Sequence, residues 1–338
     1  MKIAENYSLK KLNTFGIEVK ARYFAEIRED EELIHLLDNP VWQTRKMLIL
    51  AGGSNILFTG NFDGLVIKVS TKGIAIAEET AAHVLVNAQA GENWNALVNW
   101  CVGRNLGGLE NLSLIPGNVG AAPVQNIGAY GVEQKDSFEC LQALEIATGK
   151  KVKFNKADCD FGYRSSIFKK ELKNKFVILN VTYRLDKNPV VQINYGELKK
   201  EIQSRNIKEP GIKEVADAVC RIRNSKLPDP EKTGNAGSFF KNPLVTEEKF
   251  LELRKLYPDI PGYPSENGLI KVAAGWMIDR LGWKGFRQGD AGVCETQALV
   301  LVNYGNASGY EILGIANDIK KSVKESFDVE LEPEVNII

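Results

Sequence analysis

The amino-acid sequence predicts an α+β protein built from more than one domain, and three observations lead to that class. The chain has 338 residues, 44% of them hydrophobic, which is roughly two domains' worth and enough to bury a core without disulfide or metal staples. Its first half is dominated by strand-length apolar runs broken by turn residues. Its second half carries segments whose apolar residues recur at three- and four-residue spacing, the period of a helix with one buried face.

In the first half, "MLILAGGSN" (47–55), "GLVIKVS" (64–70), "GIAIAE" (73–78) and "HVLVNAQAG" (83–91) read as strands. "ENWNALVNWCVGRNL" (92–106) sets Trp94, Leu97, Val98 and Cys101 on one helical face and is expected to stop at Gly107-Gly108. "LQALEIATGKKVKF" (141–154) predicts two strands folded about a Thr-Gly-Lys turn, and "FVILNVTYRL" (176–185) predicts another strand. After Pro189 the pattern changes. Helices are predicted at 195–205, at 212–227 with Ile212, Val215, Ala216 and Val219 as the apolar stripe, at 246–256 and at 272–281, followed by the strand "ALVLVN" (298–303). A last helix, 308–327, opens on Ser308 and Glu311 in capping-box spacing, and "DVELEPEV" (328–335) reads as strand-like. The change of pattern starts a second α+β domain near residue 210.

Composition narrows the function classes. Lys+Arg and Asp+Glu balance at 43 each, so there is no overall field to draw the chain to nucleic acid or to an anionic membrane, and any anion site must be local. The five cysteines, Cys101, Cys140, Cys159, Cys220 and Cys294, are scattered and never form a C-x-x-C. That pattern argues against a disulfide framework and against zinc, so no metal is expected. The start "MKIAENYSLK" has no hydrophobic signal segment and the apolar runs are strand-length, which predicts a cytoplasmic protein.

Several stretches have the makings of a site. In "AGGSNILF" (51–58), which follows a strand, paired glycines suit positive φ and close approach, and successive N–H groups there would form a nest for a diphosphate; a tight strand-to-strand turn explains them equally well. "LSLIPGNVGAAPVQNIGAYGVE" (112–133) is long, non-periodic and almost uncharged, unlike an ordinary surface loop. A buried connection of that kind would strand many backbone groups without partners, whereas wrapping a large flat phosphorylated ligand would use them. Neither G-x-G-x-x-G nor G-K-[ST] occurs, so a dinucleotide would be bound without a Rossmann fold or a Walker loop. "RIRNSKLPDP" (221–230) together with Lys232 and Lys241 forms a local positive surface, while Arg164 in "FGYRSSIFKK" and Glu334 in "LEPEV" are by default surface residues. "GNAGSFFKNP" (234–243) places Ser238 behind a glycine in a chain with two histidines, neither in a triad setting, so the stretch is either a structural turn or the seat of serine chemistry other than nucleophilic attack.

The motifs "AGGSN", "IPGNVGAAPVQNIGAYG", "YRSS", "KLPDP…GNAGSFFKNP", "AAGWMIDRLGWKG" and "EPEV" occur in this order. Together they resemble the UDP-N-acetylenolpyruvoylglucosamine reductases (UDP-N-acetylmuramate dehydrogenases), FAD enzymes of bacterial peptidoglycan synthesis, over nearly the whole chain. The resemblance implies a two-part, non-Rossmann FAD-binding unit of the vanillyl-alcohol-oxidase-like PCMH type, divided as 1–70 and 71–210, and a C-terminal α+β substrate domain at 211–327. The end of the chain, 328–338, would return to the active site. It implies non-covalent FAD held around Gly52, Gly53, Ser54, Asn55 and Ile56 and by Ile115, Gly117, Gly120, Ala121, Gln125, Asn126 and Gly128, with NADPH as co-substrate. By the same resemblance Ser238 is the proton donor and Arg164 and Glu334 stand beside the reacting carboxylate, while Tyr195, Arg223, Lys226, Asn242 and Gln297 contact the UDP-sugar. Tyr195 marks the subclass whose tyrosine loop closes over the substrate, and a monomer is expected. Asn336 stands where an arginine often follows "EPEV" in the family.

The residues suit that chemistry. Hydride addition from flavin N5 to the β-carbon of an enolpyruvyl ether puts negative charge on the α-carbon and its carboxylate, which Arg164 would stabilise and to which a protonated Glu334 would hydrogen-bond. Such an intermediate takes a proton from a hydroxyl, so Ser238 needs no histidine and only a neighbouring donor such as Lys226. Two rivals are a flavin oxidase, which is disfavoured because neither flavin motif carries a histidine or cysteine for a covalent link, and a silent nucleotide-sugar binder, which the retained serine, arginine and glutamate argue against.

Overall fold

The computed structural model describes residues 1–338, apart from the side chains of Gln43 and Glu266. Two compact units share the chain: one holds Met1–Tyr7, Ala21–Gly52 and Phe62–Ser225, and the other Ser8–Lys20, Gly53–Asn61 and Lys226–Ile338.

In the first unit, strands Lys20–Ile27 and Met47–Leu50 lie parallel on either side of Phe62–Val69, in register Phe24↔Val66 and Leu48↔Val66, with Ile3–Ser8 at the far edge. Parallel neighbours need a crossover, and helix Asp30–Asp38 supplies it, burying Leu33, Leu36 and Leu37. A second, antiparallel sheet has the order Lys151–Asn155, Phe138–Glu145, Phe176–Asp186, His83–Gln89, Ile74–Glu79. Along His83–Gln89, Val84, Val86 and Ala88 are buried and alternate with half-buried neighbours, the period-2 pattern of a strand with one face on a core. Leu65 and Ile67 of the first sheet join Val86, Leu141, Val181 and Tyr183 of the second in one core.

Helix Trp94–Val102 buries the expected stripe of Trp94, Leu97, Val98 and Cys101. It ends earlier than Gly107-Gly108. Asn105 takes the left-handed conformation at φ 55, Asn105 N–H bonds Val102 O and Leu106 N–H bonds Cys101 O, both at 3.0 Å. This is a Schellman stop with asparagine in the position glycine usually fills. Helices Gly196–Ser204 and Ile212–Lys226 form a smaller core of Leu198, Ile202, Val215 and Val219, against which Tyr130 packs.

In the second unit, Gly234–Ser238, Val300–Asn303, Ala291–Val293 and Arg287–Gln288 make one antiparallel sheet, and Leu244–Val245, Ile270–Val272 and Gly262–Pro264 another. Helix Gly309–Phe327 carries the expected Ser308/Glu311 capping box and buries Ile312, Ile315, Ala316, Ile319 and Val323 at helical spacing. Buried asparagines fasten the early segment to the sheet. Asn303 donates to Phe15 O at 2.9 Å, and Asn13 donates to Leu9 O and Ile17 O at 2.8 and 3.0 Å. The expected strand at 328–335 forms no regular ladder. Lys241 N–H bonds Glu332 O and Phe240 bridges Pro333, whose ring removes the next ladder donor. Pairing resumes at Asn336–Ile337, parallel to Ile56–Leu57, so the chain end returns to the "AGGSNI" motif. Among the described residues no helix is long and apolar enough to cross a membrane.

Candidate functional site

The glycine pair at 52–53 divides its labour. Gly53 takes φ 64, while Gly52 is required by proximity: a Cβ there would lie 2.7 Å from Asn118 Oδ1 and 3.0 Å from Gly117 Cα. Thus in the first unit the turn residue Gly52 lies against the start of the uncharged loop. In the second unit Gly53 O accepts from Thr14 N at 3.1 Å, and Asn55 O accepts from Asn336 N at 3.1 Å and from Asn336 Nδ2 at 3.0 Å. Asn336 is therefore a polar clasp for the turn at Asn55.

The loop is less open than its composition suggests. Val119 N–H bonds Glu92 O, Gly120 N–H bonds Ala90 O, and Ala122, Val124 and Ile127 donate within the loop itself. Tight turns satisfy most of the groups that the sequence left in question, so a ligand's donors come from fewer positions than expected. Asn126, fully buried, has its carboxamide engaged by protein on both atoms, so contact of this residue with a cofactor falls to its main chain.

Arg164 and Arg223 come together in the first unit. Arg164 sits at φ 52 and donates from Nη2 to Gly128 O at 2.8 Å. Burial holds the Arg223 guanidinium below its ordinary pKa and the Arg164 charge pushes the same way, while the Tyr130 hydroxyl beside Arg223 opposes them. Arg223 Nε is buried with no hydrogen-bond partner. Burial, Glu197 and Tyr195 raise the pKa of the Tyr130 hydroxyl against the pull of Arg223. Tyr130 meets Tyr195 edge-on at 5.5 Å between centroids, and Asn111 donates to Tyr130 O and Gln192 O at 3.1 and 2.8 Å. Two guanidinium groups within range of each other's charge, one with an unsatisfied N–H, fit an anionic ligand, whose charge would relieve their repulsion.

In the second unit Ser238 stands at the end of a bulged strand. Asn235 faces Val302 and Ser238 faces Val300, so the register slips between them, with Gly237 at φ 68. Such a bulge re-aims the side chain that follows it, and Phe239 and Phe240, at 0% and 1% exposure, anchor the chain just beyond. Glu334 N–H bonds Phe239 O at 2.7 Å and Asn55 Nδ2 donates to Glu334 O at 3.3 Å, which brings the serine strand, the glutamate Glu334 and the turn at Asn55 together. Asn242 Oδ1 accepts from Ala274 N at 3.0 Å, Gln297 Oε1 accepts from Leu299 N at 3.4 Å, and Lys226 O accepts from Thr296 Oγ1 at 2.8 Å. Sequence reasoning singled out neither Tyr130 nor Asn111. The signal for Tyr130 was its place between Gly128 and Gly131 in an otherwise small-residue loop.

A family model described as UDP-N-acetylenolpyruvoylglucosamine reductase, C-terminal domain, matches residues 229–338, and an FAD binding domain model matches 21–154. The chain is 49% identical over 339 residues to UDP-N-acetylenolpyruvoylglucosamine reductase of Flavobacterium johnsoniae, covering 100% of both. It is 46% identical over 337 residues to that of Pseudomonas aeruginosa, covering 100% of this chain and 99% of the relative. Among solved structures, the UDP-N-acetylenolpyruvylglucosamine reductase of Thermus caldophilus superposes with a TM-score of 0.69 at 22% identity, covering 99% of this chain and 98% of that one. That likeness shows the fold, and with the FAD-binding match it agrees with the fold class expected from the sequence.

Proposed function

The chain belongs to the UDP-N-acetylenolpyruvoylglucosamine reductase family, FAD-dependent oxidoreductases of peptidoglycan synthesis; from that premise we propose that it reduces UDP-N-acetylglucosamine enolpyruvate to UDP-N-acetylmuramate with NADPH as the reductant. The observation that carries this reading to particular residues is the guanidinium pair Arg164 and Arg223, coupled in charge and half-buried, a donor set suited to a substrate with a carboxylate and a diphosphate. FAD, when bound, supplies the redox chemistry, relaying a hydride equivalent from NADPH to the enolpyruvyl β-carbon. Gly52 to Ile56 and the loop positions Ile115, Gly117, Gly120, Ala121, Gln125, Asn126 (through its main chain alone) and Gly128 hold it without a covalent link.

Arg164 stabilises the charge that spreads from the α-carbon into the carboxylate, and Glu334 hydrogen-bonds the same group. Ser238 gives its proton to the α-carbon, and Lys226 eases the resulting alkoxide. Tyr195, Arg223, Asn242 and Gln297 bind the UDP-sugar. We also propose a division of the chain into 1–70 and 71–210 for FAD and 211–327 for substrate, and a cytoplasmic monomer that binds neither nucleic acid nor membrane. The purified protein is expected to be yellow, to bleach with NADPH and to regain its colour when the enolpyruvyl substrate is added. Bleaching that persists after that addition refutes the proposal.

A further inference from the structure

We propose that Asn126 is the positioning residue of Arg164, acting through hydrogen bonds to the turn that carries the arginine and touching neither cofactor nor substrate with its side chain. The inference rests on the role given above to Arg164. Arg164 occupies a left-handed conformation at φ 52, costly for any residue with a β-carbon, so something must hold it there. Its turn is closed by reciprocal bonds, Gly162 N–H to Ser165 O at 3.1 Å and Ser165 N–H to Gly162 O at 3.2 Å. The same Gly162 carbonyl accepts a second bond from Asn126 Nδ2, also at 3.1 Å.

The remaining capacity of that carboxamide is used as fully. Nδ2 donates to Glu133 Oε2 at 2.9 Å, and Oδ1 accepts from Gln134 Nε2 at 3.3 Å and Lys135 N at 3.2 Å. Two donors and two acceptor sites are all that asparagine has. Asn126 itself is left-handed at φ 46, a conformation asparagine tolerates. Two residues on, Gly128 O receives the Arg164 guanidinium, so the segment 126–128 grips the arginine at both its backbone and its charged end. A parallel tie runs from Ser166 Oγ to Val124 O at 2.7 Å. Aspartate at 126 would lose both donations and face the Glu133 carboxylate.

The test compares Asn126→Gly, which removes the carboxamide and keeps the left-handed backbone accessible, with Arg164→Ala and the double variant, all as holoenzymes. Asn126→Gly is expected to keep its flavin and its rate of reduction by NADPH within about twofold, and to reoxidise with enolpyruvyl substrate roughly 10- to 100-fold more slowly. Added to Arg164→Ala it should cost nothing further, because two groups acting as one are not additive. Trypsin supplies a readout independent of turnover: cleavage after Arg164 should quicken by about tenfold or more as the turn loosens. Unchanged cleavage, parent-like reoxidation beside a slow Arg164→Ala, full additivity, or loss of flavin would each overturn the inference. A normal rate for Arg164→Ala refutes the role given to Arg164, and the tryptic result then decides on Asn126 alone. Should Asn126→Gly fail to fold, Asn126→Asp, which tolerates the left-handed backbone and loses both donations, carries the same arms.

Discussion

Gly52→Ala tests whether the Gly52 turn and the uncharged loop must meet, as the proposed FAD site requires. The new Cβ would stand 2.7 Å from Asn118 Oδ1, where ordinary contact begins at 3.4 Å, and 3.0 Å from Gly117 Cα. Asn118 cannot simply swing away: its Nδ2 donates to Gly91 O at 2.9 Å, and the flanking backbone is tied by Trp94 N–H to Gly117 O and Val119 N–H to Glu92 O. Relief therefore costs either that side-chain bond, about 0.5–1.5 kcal/mol, or an overpacked contact, about 1–3 kcal/mol. An apoprotein escapes by letting turn and loop part, whereas FAD held by both, as proposed above, demands them together. The penalty of about 2 kcal/mol then emerges as a roughly 30-fold rise in the Kd for FAD. Titration of apoprotein with FAD measures it, with Gly60→Ala, whose Cβ meets nothing within 4 Å, as the neutral control. A Kd for Gly52→Ala within twofold of the parent, or an equal loss in Gly60→Ala, refutes the reasoning.

Ser238→Ala should leave reduction by NADPH intact and slow reoxidation by enolpyruvyl substrate by about 10²- to 10⁴-fold; rapid-mixing absorbance separates the two, and comparable reoxidation removes the serine from the proton step. Hydrogen bonds from Lys324 and Lys249 draw the Asp328 carboxylate from 3.8 down to about 2. A depressed carboxylate contributes stability that is present above its unfolded pKa and lost as pH falls through the folded one. The Tm of the parent should accordingly fall between pH 3.8 and about 2 more steeply than that of Asp328→Asn, and parallel acid limbs would count against the ion pairs. Burial pushes the Cys101 and Cys159 thiols up to about 12, so neither should be alkylated by iodoacetamide in the native protein at mildly alkaline pH while both react on unfolding; mass spectrometry of the native digest checks this.

What was legible in the sequence was local. The stripe of Trp94, Leu97, Val98 and Cys101, the Ser308/Glu311 box and the turn around Gly149 each depend on residues within a few positions of one another, and the structure bears each out. Less legible were arrangements carried by single hydrogen bonds between distant positions. Segment 8–20 joins residues 226–338 in one unit through such bonds as Asn303 to Phe15 O and Asn235 N to Thr14 O, and no hydrophobic period announces them. The helix stop at Asn105 was missed for a related reason, because asparagine takes the left-handed position only when the following N–H groups find their carbonyls. At the site, Ser238 and the glycine turn stood out by composition. The meeting of Tyr130 with Arg223, two residues in different stretches of chain, is set by the fold and carries no local sequence signal.

Asn126, Tyr130 and Arg164 adopt φ values of 46, 49 and 52, where glycine would be cheapest. Each such residue costs about 1 kcal/mol or more, held only by surroundings that over-determine it. Those surroundings are the four bonds of Asn126, the Asn111 bond to Tyr130 O and the closed turn at Gly162–Ser165. A loop selected for stability alone would place glycine at these positions, as it does at Gly117 and Gly131. Keeping a phenol and a guanidinium there against the local preference means that their side chains, and not the path of the backbone, are what the strain secures: the phenol set beside Arg223 and the guanidinium laid against Gly128 O.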